Sequence, residues 1–363
     1  MRILFYAKRN LHLPHLEPVM EWINANRPEI KLTYSSPPYI PSRNGFPGLG
    51  LEDYQISALQ ANGPGWIPVS RINNFNPDIT VLADADFGDF FWDGRIVNIN
   101  HGLICKGTFY TRATTVQREN RADLICTPGE YHASILKQVL KNRVLATGFS
   151  KFDPIGKGEL TRESARQDLG LAEEDKVVLF APTYNQELSA VPVVTDGIRD
   201  LIKLGYKVLV KLHGMAPKAW FELYDILALL DTNIEHIKNQ DITSSLMAAD
   251  VVISDVSSAF MEAMALGRPV ILVNNPNQHT FHSYDPEDIE YKWRDVGLEV
   301  NSTEEMIQAV ERSFAFPEEK ESKREYYGPQ LVGPIDGRAA ERAAIATLQI
   351  MEDAPVTAYA RSS

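Results

Sequence analysis

Two histidines at the ends of predicted strands are the residues best suited to chemistry in this sequence. His101 comes shortly after the apolar run at residues 96–98, His213 comes after the run at 207–211, and each is followed by glycine. An imidazole with an ordinary pKa near roughly 6.5 is largely neutral at working pH and can take a proton from a hydroxyl group. Because one histidine lies in each half of the chain, we expect the two imidazoles to face each other across a cleft.

A turn rich in hydroxyl groups is the second feature. Ser257 and Ser258 follow the apolar run at residues 251–254 and open a predicted helix. Serines at a helix start cap free N–H groups, and the positive end of the helix attracts anions. An ordinary cap needs only one serine, so the pair predicts a phosphate site. Thr183, in the turn after the run at 177–181, could supply further donors.

A mainly basic stretch lies between residues 101 and 143. Its seven cations are Lys106, Arg112, Arg118, Arg121, Lys137, Lys141 and Arg143, and its three anions are Glu119, Asp123 and Glu130. The stretch is a candidate surface for an anionic ligand. A solvated helix face of mixed charge would give the same pattern.

No metal or other cofactor is predicted. The two cysteines, Cys105 and Cys126, do not form a cluster with metal-ligand spacing. Asp84-Ala85-Asp86 has the acidic spacing of a metal-dependent nucleotide-sugar site, but no further ligand is evident near it in the sequence. An acidic loop after a strand explains it equally well.

Composition narrows the class of protein. The chain has 363 residues, of which 44% are hydrophobic and 23% charged, and its net charge of -12 argues against nucleic-acid binding. Residues 1–150 carry 15 Lys and Arg against 13 Asp and Glu, whereas residues 151–363 carry 21 against 35. Neither a signal-peptide core nor a membrane-spanning run is found, which predicts a cytoplasmic protein. Peripheral attachment to the inner membrane face stays open, through the first half or a partner.

Short β-rich runs alternate with helical stretches along the whole chain. These runs are residues 2–7, 79–83, 96–98, 123–127, 144–147, 177–181, 207–211, 251–254 and 270–273. The alternation predicts an α/β fold with parallel sheets in two Rossmann-like domains. A Gly- and Pro-rich stretch near residue 155 separates them. We therefore expect a domain at 1–155, a second at 156–345, and a helix end and tail at 346–363.

Six short motifs, in order, resemble those of the CDP-glycerol glycerophosphotransferases of teichoic acid and capsule synthesis. They are Asn100-His101-Gly102 with Lys106, Ala181-Pro182-Thr183-Tyr184, Lys211-Leu212-His213, Ile253-Ser254-Asp255-Val256-Ser257-Ser258, a tyrosine-rich segment at 284–291, and Asp336-Gly337 through Arg342. The resemblance implies the GT-B fold, in which two Rossmann-like domains face each other across a cleft. Three positions depart from the family pattern, namely Asn185, Gly214 and Val256.

The resemblance also implies a reaction. A metal-independent transferase would move glycerol phosphate, or a related alditol phosphate, from a CDP-linked or other nucleotide-diphosphate donor to a hydroxylated glycan or glycolipid. His101 and His213 would be catalytic, and Lys106 and Arg112 would bind the acceptor. The residues assigned to the donor are Thr183, Lys211, Ser254, Asp255, Ser257, Ser258 and Glu262.

Two other functions fit the same sequence. A GT-B sugar transferase or epimerase would hold a UDP-sugar at the same helix end and react at a sugar carbon, and fold alone does not separate these chemistries. A non-enzymatic module that binds anions or polysaccharide would explain the departures at Asn185 and Val256. The nucleotide that binds, and any turnover, distinguish the three.

Overall fold

The computed structural model describes residues 1–8, 10–36, 65–84, 94–103, 113–238 and 241–352. Its strands form two six-stranded sheets in which every pairing is parallel. Several central strands, such as Val177–Phe180, consist entirely of buried apolar residues. Strands with this composition are covered by helices on both faces, as in βαβ folds. The prediction of an α/β fold with parallel sheets is confirmed.

The first sheet has the order β2-β1-β3-β4-β5-β6. Its strands are β1 (Arg2–Tyr6), β2 (Lys31–Ser35), β3 (Ile79–Leu82), β4 (Arg95–Asn98), β5 (Leu124–Thr127) and β6 (Arg143–Ala146). The strand order reverses between β1 and β3. In open α/β sheets, ligands bind outside the carboxyl ends of the strands at such a switch point.

The second sheet has the order β12-β11-β10-β7-β8-β9. Its strands are β7 (Val177–Phe180), β8 (Lys207–Val210), β9 (Ile234–His236), β10 (Val251–Ser254), β11 (Val270–Val273) and β12 (Leu298–Val300). The order reverses between β7 and β10, which is the arrangement of a dinucleotide-binding sheet. The turns after these two strands therefore flank the switch point.

Helices connect the strands. Those described are α1 (Leu13–Asn26), α2 (Ile72–Phe75), α3 (Ala113–Glu119), α4 (Glu130–Val139), α5 (Asp153–Gly156), α6 (Arg162–Asp168), α7 (Val191–Lys203), α8 (Lys218–Leu230), α9 (Ile242–Ala248), α10 (Ser258–Ala265), α11 (Ile289–Lys292), α12 (Thr303–Ala315), α13 (Glu321–Val332) and α14 (Ala339–Gln349). Short 3-10 turns precede α1, α2 and α5. Helices α1 and α14 pack against each other.

The chain divides into two compact units. Among the described residues, the first unit contains 1–102, 113–157 and 332–352, and the second contains Leu103 and Gly158–Leu331. The sequence-based division placed residues 332–345 in the second domain, whereas the structure groups the described residues from Val332 onwards with the first unit. Ala340, Ala344 and Ile350 join the apolar core that surrounds Leu16 and Ile23 of the first unit, because α14 buries its apolar face there.

Candidate functional site

His101 lies in the turn that follows β4 in the first unit. Its Nδ1 is 2.6 Å from the carbonyl oxygen of Ala83, the residue directly after β3. A carbonyl oxygen can only accept a hydrogen bond, so Nδ1 carries the proton of the neutral ring. The Nε2 lone pair is then the basic position of the imidazole. This tautomer suits a general base.

The backbone around His101 has an unusual conformation. Asn100 and Gly102 have φ values of 56° and 63°, in the left-handed region. Glycine adopts this region without strain, and asparagine tolerates it better than most residues. The Asn100 N–H donates to Asn98 Oδ1 at 2.9 Å, and the Gly102 N–H donates to His15 Nε2 at 3.1 Å. Both sides of the histidine are thus fixed by hydrogen bonds.

A buried polar network lies beneath this turn. Asn98 Nδ2 donates to Glu119 Oε2 at 3.0 Å, and Asn100 Nδ2 donates to the Cys126 carbonyl at 3.1 Å. Glu119 is only 2% exposed. Burial raises the pKa of its carboxyl to about 7, although the Asn98 hydrogen bond acts in the opposite direction. The sequence did not reveal that Glu119 is a buried partner of Asn98, because a single glutamate on a helix gives no distinguishing pattern.

Two further side chains lie next to His101 at the carboxyl-terminal end of the first sheet. The rings of His12 and His101 are stacked, with centroids 4.6 Å apart and an interplanar angle of 25°. Asp84 follows β3, and one ligand atom from each of His12, Asp84 and His101 lies within 4.8 Å of the other two. The sequence offered no partner for Asp84, but the fold brings two histidines to it.

The predicted acceptor residues cannot be placed. Lys106 and Arg112 lie outside the described residues, as does Asp86. Their assignment stays a prediction.

In the second unit, the turn from β10 into α10 carries the serine pair. Ser257 is the N-cap of α10, and its Oγ accepts the N–H of Ala259 at 3.3 Å. Ser258 begins the helix, and both serines are half-buried. The turn lies at the switch point beside the end of β7. A helix N-terminus in this position can receive a phosphate group.

Asp255 holds this turn to the neighbouring one. Its Oδ1 accepts the N–H groups of Thr183 and Ser257, both at 3.0 Å, and its Oδ2 accepts the N–H of Ala190 at 2.8 Å. The side chain is completely buried. Burial raises its pKa to about 6, and the three backbone donors work against that rise. Asp255 therefore positions the turns and does not face a ligand.

Ser254 and Glu262 are also buried. The Ser254 Oγ donates to the Ala181 carbonyl at 2.7 Å, which joins the ends of β10 and β7. Glu262 lies on α10 and is 4% exposed. Sequence reasoning missed Arg294, which is 6% exposed and donates to the Asp255 carbonyl at 3.2 Å. Arg294 thus stabilises the turn that carries Ser257 and Ser258 through the Asp255 carbonyl.

His213 adopts the tautomer opposite to that of His101. Its Nδ1 accepts the N–H of Met215 at 3.1 Å, so the proton of the neutral ring is on Nε2. The ring of Tyr184, in the turn after β7, lies 4.8 Å from the His213 ring at 37°. Lys211 Nζ donates to the Ile237 carbonyl at 3.3 Å. His213 is therefore suited to donate a hydrogen bond to an anionic oxygen.

Among the helices in the described part of the chain, none has both the length and the apolar composition of a membrane span.

Two units with doubly wound parallel sheets, each with polar turns at a switch point, define an α/β protein of the GT-B class. The family model described as CDP-glycerol:poly(glycerophosphate) glycerophosphotransferase matches residues 98–347. The chain belongs to this family, and the resemblance seen in its motifs is confirmed.

One curated relative is the teichoic acid glycerol-phosphate primase of Bacillus subtilis (strain 168). It is 27% identical over 169 aligned residues, and the match covers 45% of this chain and 40% of the relative. The match therefore spans less than half of that protein.

Solved structures share the fold over nearly the whole chain. The wall teichoic acid polymerase TagF is similar with a TM-score of 0.68 at 15% identity, covering 97% of this chain and 89% of that one. UDP-GlcNAc 2-epimerase from Neisseria meningitidis, bound to UDP-GlcNAc, is similar with a TM-score of 0.62 at 16% identity, covering 97% and 100%. Identities this low show the fold alone, and they confirm the GT-B prediction.

Proposed function

We propose that this protein transfers glycerol phosphate, or a related alditol phosphate, from a CDP-linked donor to a hydroxyl group of a glycan or glycolipid acceptor in cell-envelope polysaccharide synthesis. The observation that carries the proposal is the tautomer of His101, whose Nδ1–H is engaged by the Ala83 carbonyl. This leaves Nε2 free to act as a base. The chain that carries this histidine belongs to the glycerophosphotransferase family.

In the proposed step, His101 Nε2 takes the proton of the acceptor hydroxyl. The acceptor oxygen forms a bond to the donor phosphorus that carries glycerol, and the bond from this phosphorus to the bridging oxygen breaks. CMP leaves with the electron pair of that bond, and the product is a new phosphodiester. In-line displacement of this kind depends on positioning and charge stabilisation.

The second unit is proposed to bind the donor. The N–H groups and hydroxyls of Ser257 and Ser258 would hold the diphosphate, and the Nε2–H of His213 would stabilise charge on the leaving phosphate. Thr183, Lys211 and Glu262 complete the proposed set, while Ser254 and Asp255 position it from within. Since these groups supply the charge stabilisation, we propose that transfer needs no metal. Lys106 and Arg112 are proposed to bind a phosphate of the acceptor.

Calorimetry with CMP, CDP, UMP, UDP and CDP-glycerol, in the absence and presence of EDTA, tests the donor. We expect preferential binding of cytidine nucleotides that EDTA does not change, and release of CMP when an acceptor is added. Preference for UDP would instead indicate a sugar transferase or epimerase, whose fold this chain shares. Binding without any turnover would indicate a binding module.

We also infer that the protein works in the cytoplasm, where nucleotide-activated donors are made, and touches the membrane only peripherally. The first 150 residues carry 15 basic against 13 acidic side chains, whereas the rest of the chain is strongly acidic. An acidic surface is repelled by anionic lipid. Co-sedimentation with anionic vesicles should therefore depend on the first unit or on a bound partner.

A further inference from the structure

We propose that His12, Asp84 and His101 form a binding site for a transition metal ion of the zinc class, and that an ion bound there inhibits transfer. The metal site stands on geometry alone. The inhibition rests on the proposed function, because it requires His101 to be the base.

The fold gathers the three residues from separate parts of the chain. His12 comes after β1, Asp84 after β3 and His101 after β4, and these three strands are neighbours in the first sheet. Their ends lie next to the switch point of that sheet, where α/β folds place ligands. Because the strands are parallel, the three turns lie together at the carboxyl-terminal end of the sheet, although the turns are far apart in sequence.

The three ligand atoms lie close enough together to bind one small cation once the side chains turn towards it. One ligand atom from each residue lies within 4.8 Å of the others. Bonds of about 2.0–2.1 Å from zinc to nitrogen or oxygen put the ligand atoms of a tetrahedral site roughly 3.3–3.5 Å apart. Because the His101 ring is held by Ala83, the His12 ring, which stacks on it, would have to rotate so that its nitrogen points at the ion.

The chemistry of the donor set selects the class of ion. Two imidazoles and one carboxylate with an open fourth position are typical of zinc, whereas Mg²⁺ and Ca²⁺ prefer oxygen ligands only. A histidine that binds a metal commonly donates its other ring N–H to a carbonyl or carboxylate, which fixes its orientation. The bond from His101 Nδ1 to the Ala83 carbonyl at 2.6 Å has this form. His101 would therefore bind the ion through Nε2.

An ion on Nε2 would use the lone pair that the proposed reaction needs. His101 could not then take a proton from the acceptor, and transfer would stop until the ion left. The site is thus compatible with metal-free transfer and gives the enzyme sensitivity to zinc.

Titration of the chelator-treated full chain with Zn²⁺, in competition with a chromophoric chelator, tests the site. We expect one tightly bound ion per chain, and a visible band of tetrahedral Co²⁺ when cobalt replaces zinc. His12→Gln and Asp84→Asn should each weaken binding by about 10-fold or more. His282→Gln, at an exposed histidine of the second unit, is the matched control and should leave affinity unchanged. Thermal melts of both site variants check that they are folded.

Zn²⁺ should also slow CMP release in step with occupancy of the site, and EDTA should restore the rate. Absence of stoichiometric binding, or binding that neither site variant weakens, would overturn the metal site. Tight binding with no effect on CMP release would overturn the inhibition. If the chain bound zinc through these residues but transferred nothing, the metal site would stand and the proposed function would fail.

Discussion

The Nδ1 of His101 is held 2.6 Å from the carbonyl oxygen of Ala83, and this bond decides which ring nitrogen can act as a base. Asparagine at position 101 places an amide nitrogen near the position of Nδ1 and can keep the bond to Ala83, but it has nothing at the position of Nε2. His101→Asn should therefore lower kcat for CMP release by about 10²–10⁴-fold, the usual contribution of a general base. Donor affinity and thermal stability should change little.

His101→Gln is the complementary variant, because its amide reaches the position of Nε2 and loses the bond to Ala83. It should be as inactive as His101→Asn, since an amide is not a base. Substantial turnover by either variant would refute the assignment of His101.

The hydrogen bond between His213 Nδ1 and the Met215 N–H leads to a similar pair of variants with a different outcome. Glutamine at position 213 keeps an N–H donor near the position of Nε2, whereas asparagine keeps only the acceptor for Met215. Loss of one donor to a developing negative charge costs about 10²–10³-fold in kcat. His213→Asn should show this loss and His213→Gln should keep most of the rate. Equal loss in both variants would indicate that His213 acts through its basicity.

The residues found from sequence share one property, which is that each follows a short run of mainly apolar residues that forms a strand. His101, His213 and Ser257 each follow such a run, and the corresponding strands were predicted to within one or two residues. Strands Lys31–Ser35, Ile234–His236 and Leu298–Val300 were missed, and all three lie at sheet edges. The last two have only three residues and include exposed side chains, and in the first the apolar residues are interrupted by a threonine. Short edge strands have no continuous apolar run to detect.

Contacts between distant parts of the chain were also beyond sequence reasoning. His12 and Glu119 join the surroundings of His101 only through the order of strands in the first sheet, which the pattern of apolar runs does not give. The same holds for α14, whose apolar face fits either unit equally well as a pattern. Its place is decided by packing against residues such as Leu16.

Asp255 accepts backbone N–H groups with both carboxylate oxygens, so replacing one oxygen by an NH₂ group should be costly. Asp255→Asn turns a donor towards at least one of the N–H groups of Thr183, Ser257 and Ala190. An unsatisfied buried N–H costs about 1–3 kcal/mol. We expect the free energy of unfolding, measured with urea, to decrease by this amount, and we expect weaker binding of CDP-glycerol in calorimetry.

The control for this variant is Asp231→Asn. Asp231 Oδ1 accepts a single backbone N–H, from Asn233 at 2.8 Å, and the amide oxygen of asparagine can replace it. Its unfolding free energy should change by less than about 0.5 kcal/mol. If both substitutions had equally small effects, Asp255 would not organise the turn.

The buried Glu119 should make stability depend on pH. Its pKa is raised to about 7 by burial, from 4.5, so the folded chain keeps this proton over an interval in which the unfolded chain has lost it. The free energy of unfolding should then fall as pH rises from about 4.5 to 7, by on the order of 3 kcal/mol from this group. Glu119→Gln removes this dependence while its amide oxygen can still accept from Asn98.

Urea unfolding at pH 5 and pH 8 measures the effect. Glu119→Gln should exceed the wild type in stability at pH 8, and the difference should shrink towards pH 5. Glu130→Gln, at an exposed position on α4, should leave the pH dependence unchanged. A difference between Glu119→Gln and wild type that is the same at both pH values would contradict the buried-acid interpretation.

Asp153 attaches the last described helix to the first unit. Its Oδ1 and Oδ2 accept the N–H groups of Ala339 and Ala340 at 2.9 and 2.7 Å, and α14 has no side-chain cap of its own. Asp153→Ala would leave two buried donors without partners, so we expect the first unit to lose at least about 1–3 kcal/mol in urea unfolding. Fluorescence of Trp22, which packs against the same core as α14, can report this.

Replacing Gly337, the glycine that precedes α14, should also lower the stability of the first unit. Gly337 has a φ of 73°, and a Cβ there would lie 2.7 Å from the Lys157 side chain. Gly337→Ala combines backbone strain with this overlap, and it should destabilise the same transition by about 1 kcal/mol or more. Asp196→Ala, at a carboxylate whose side chain is 85% exposed in the second unit, should not. If Asp153→Ala and Gly337→Ala unfolded like this control, α14 would contribute nothing to the first unit, and the Asp336–Arg342 motif would need a role other than docking.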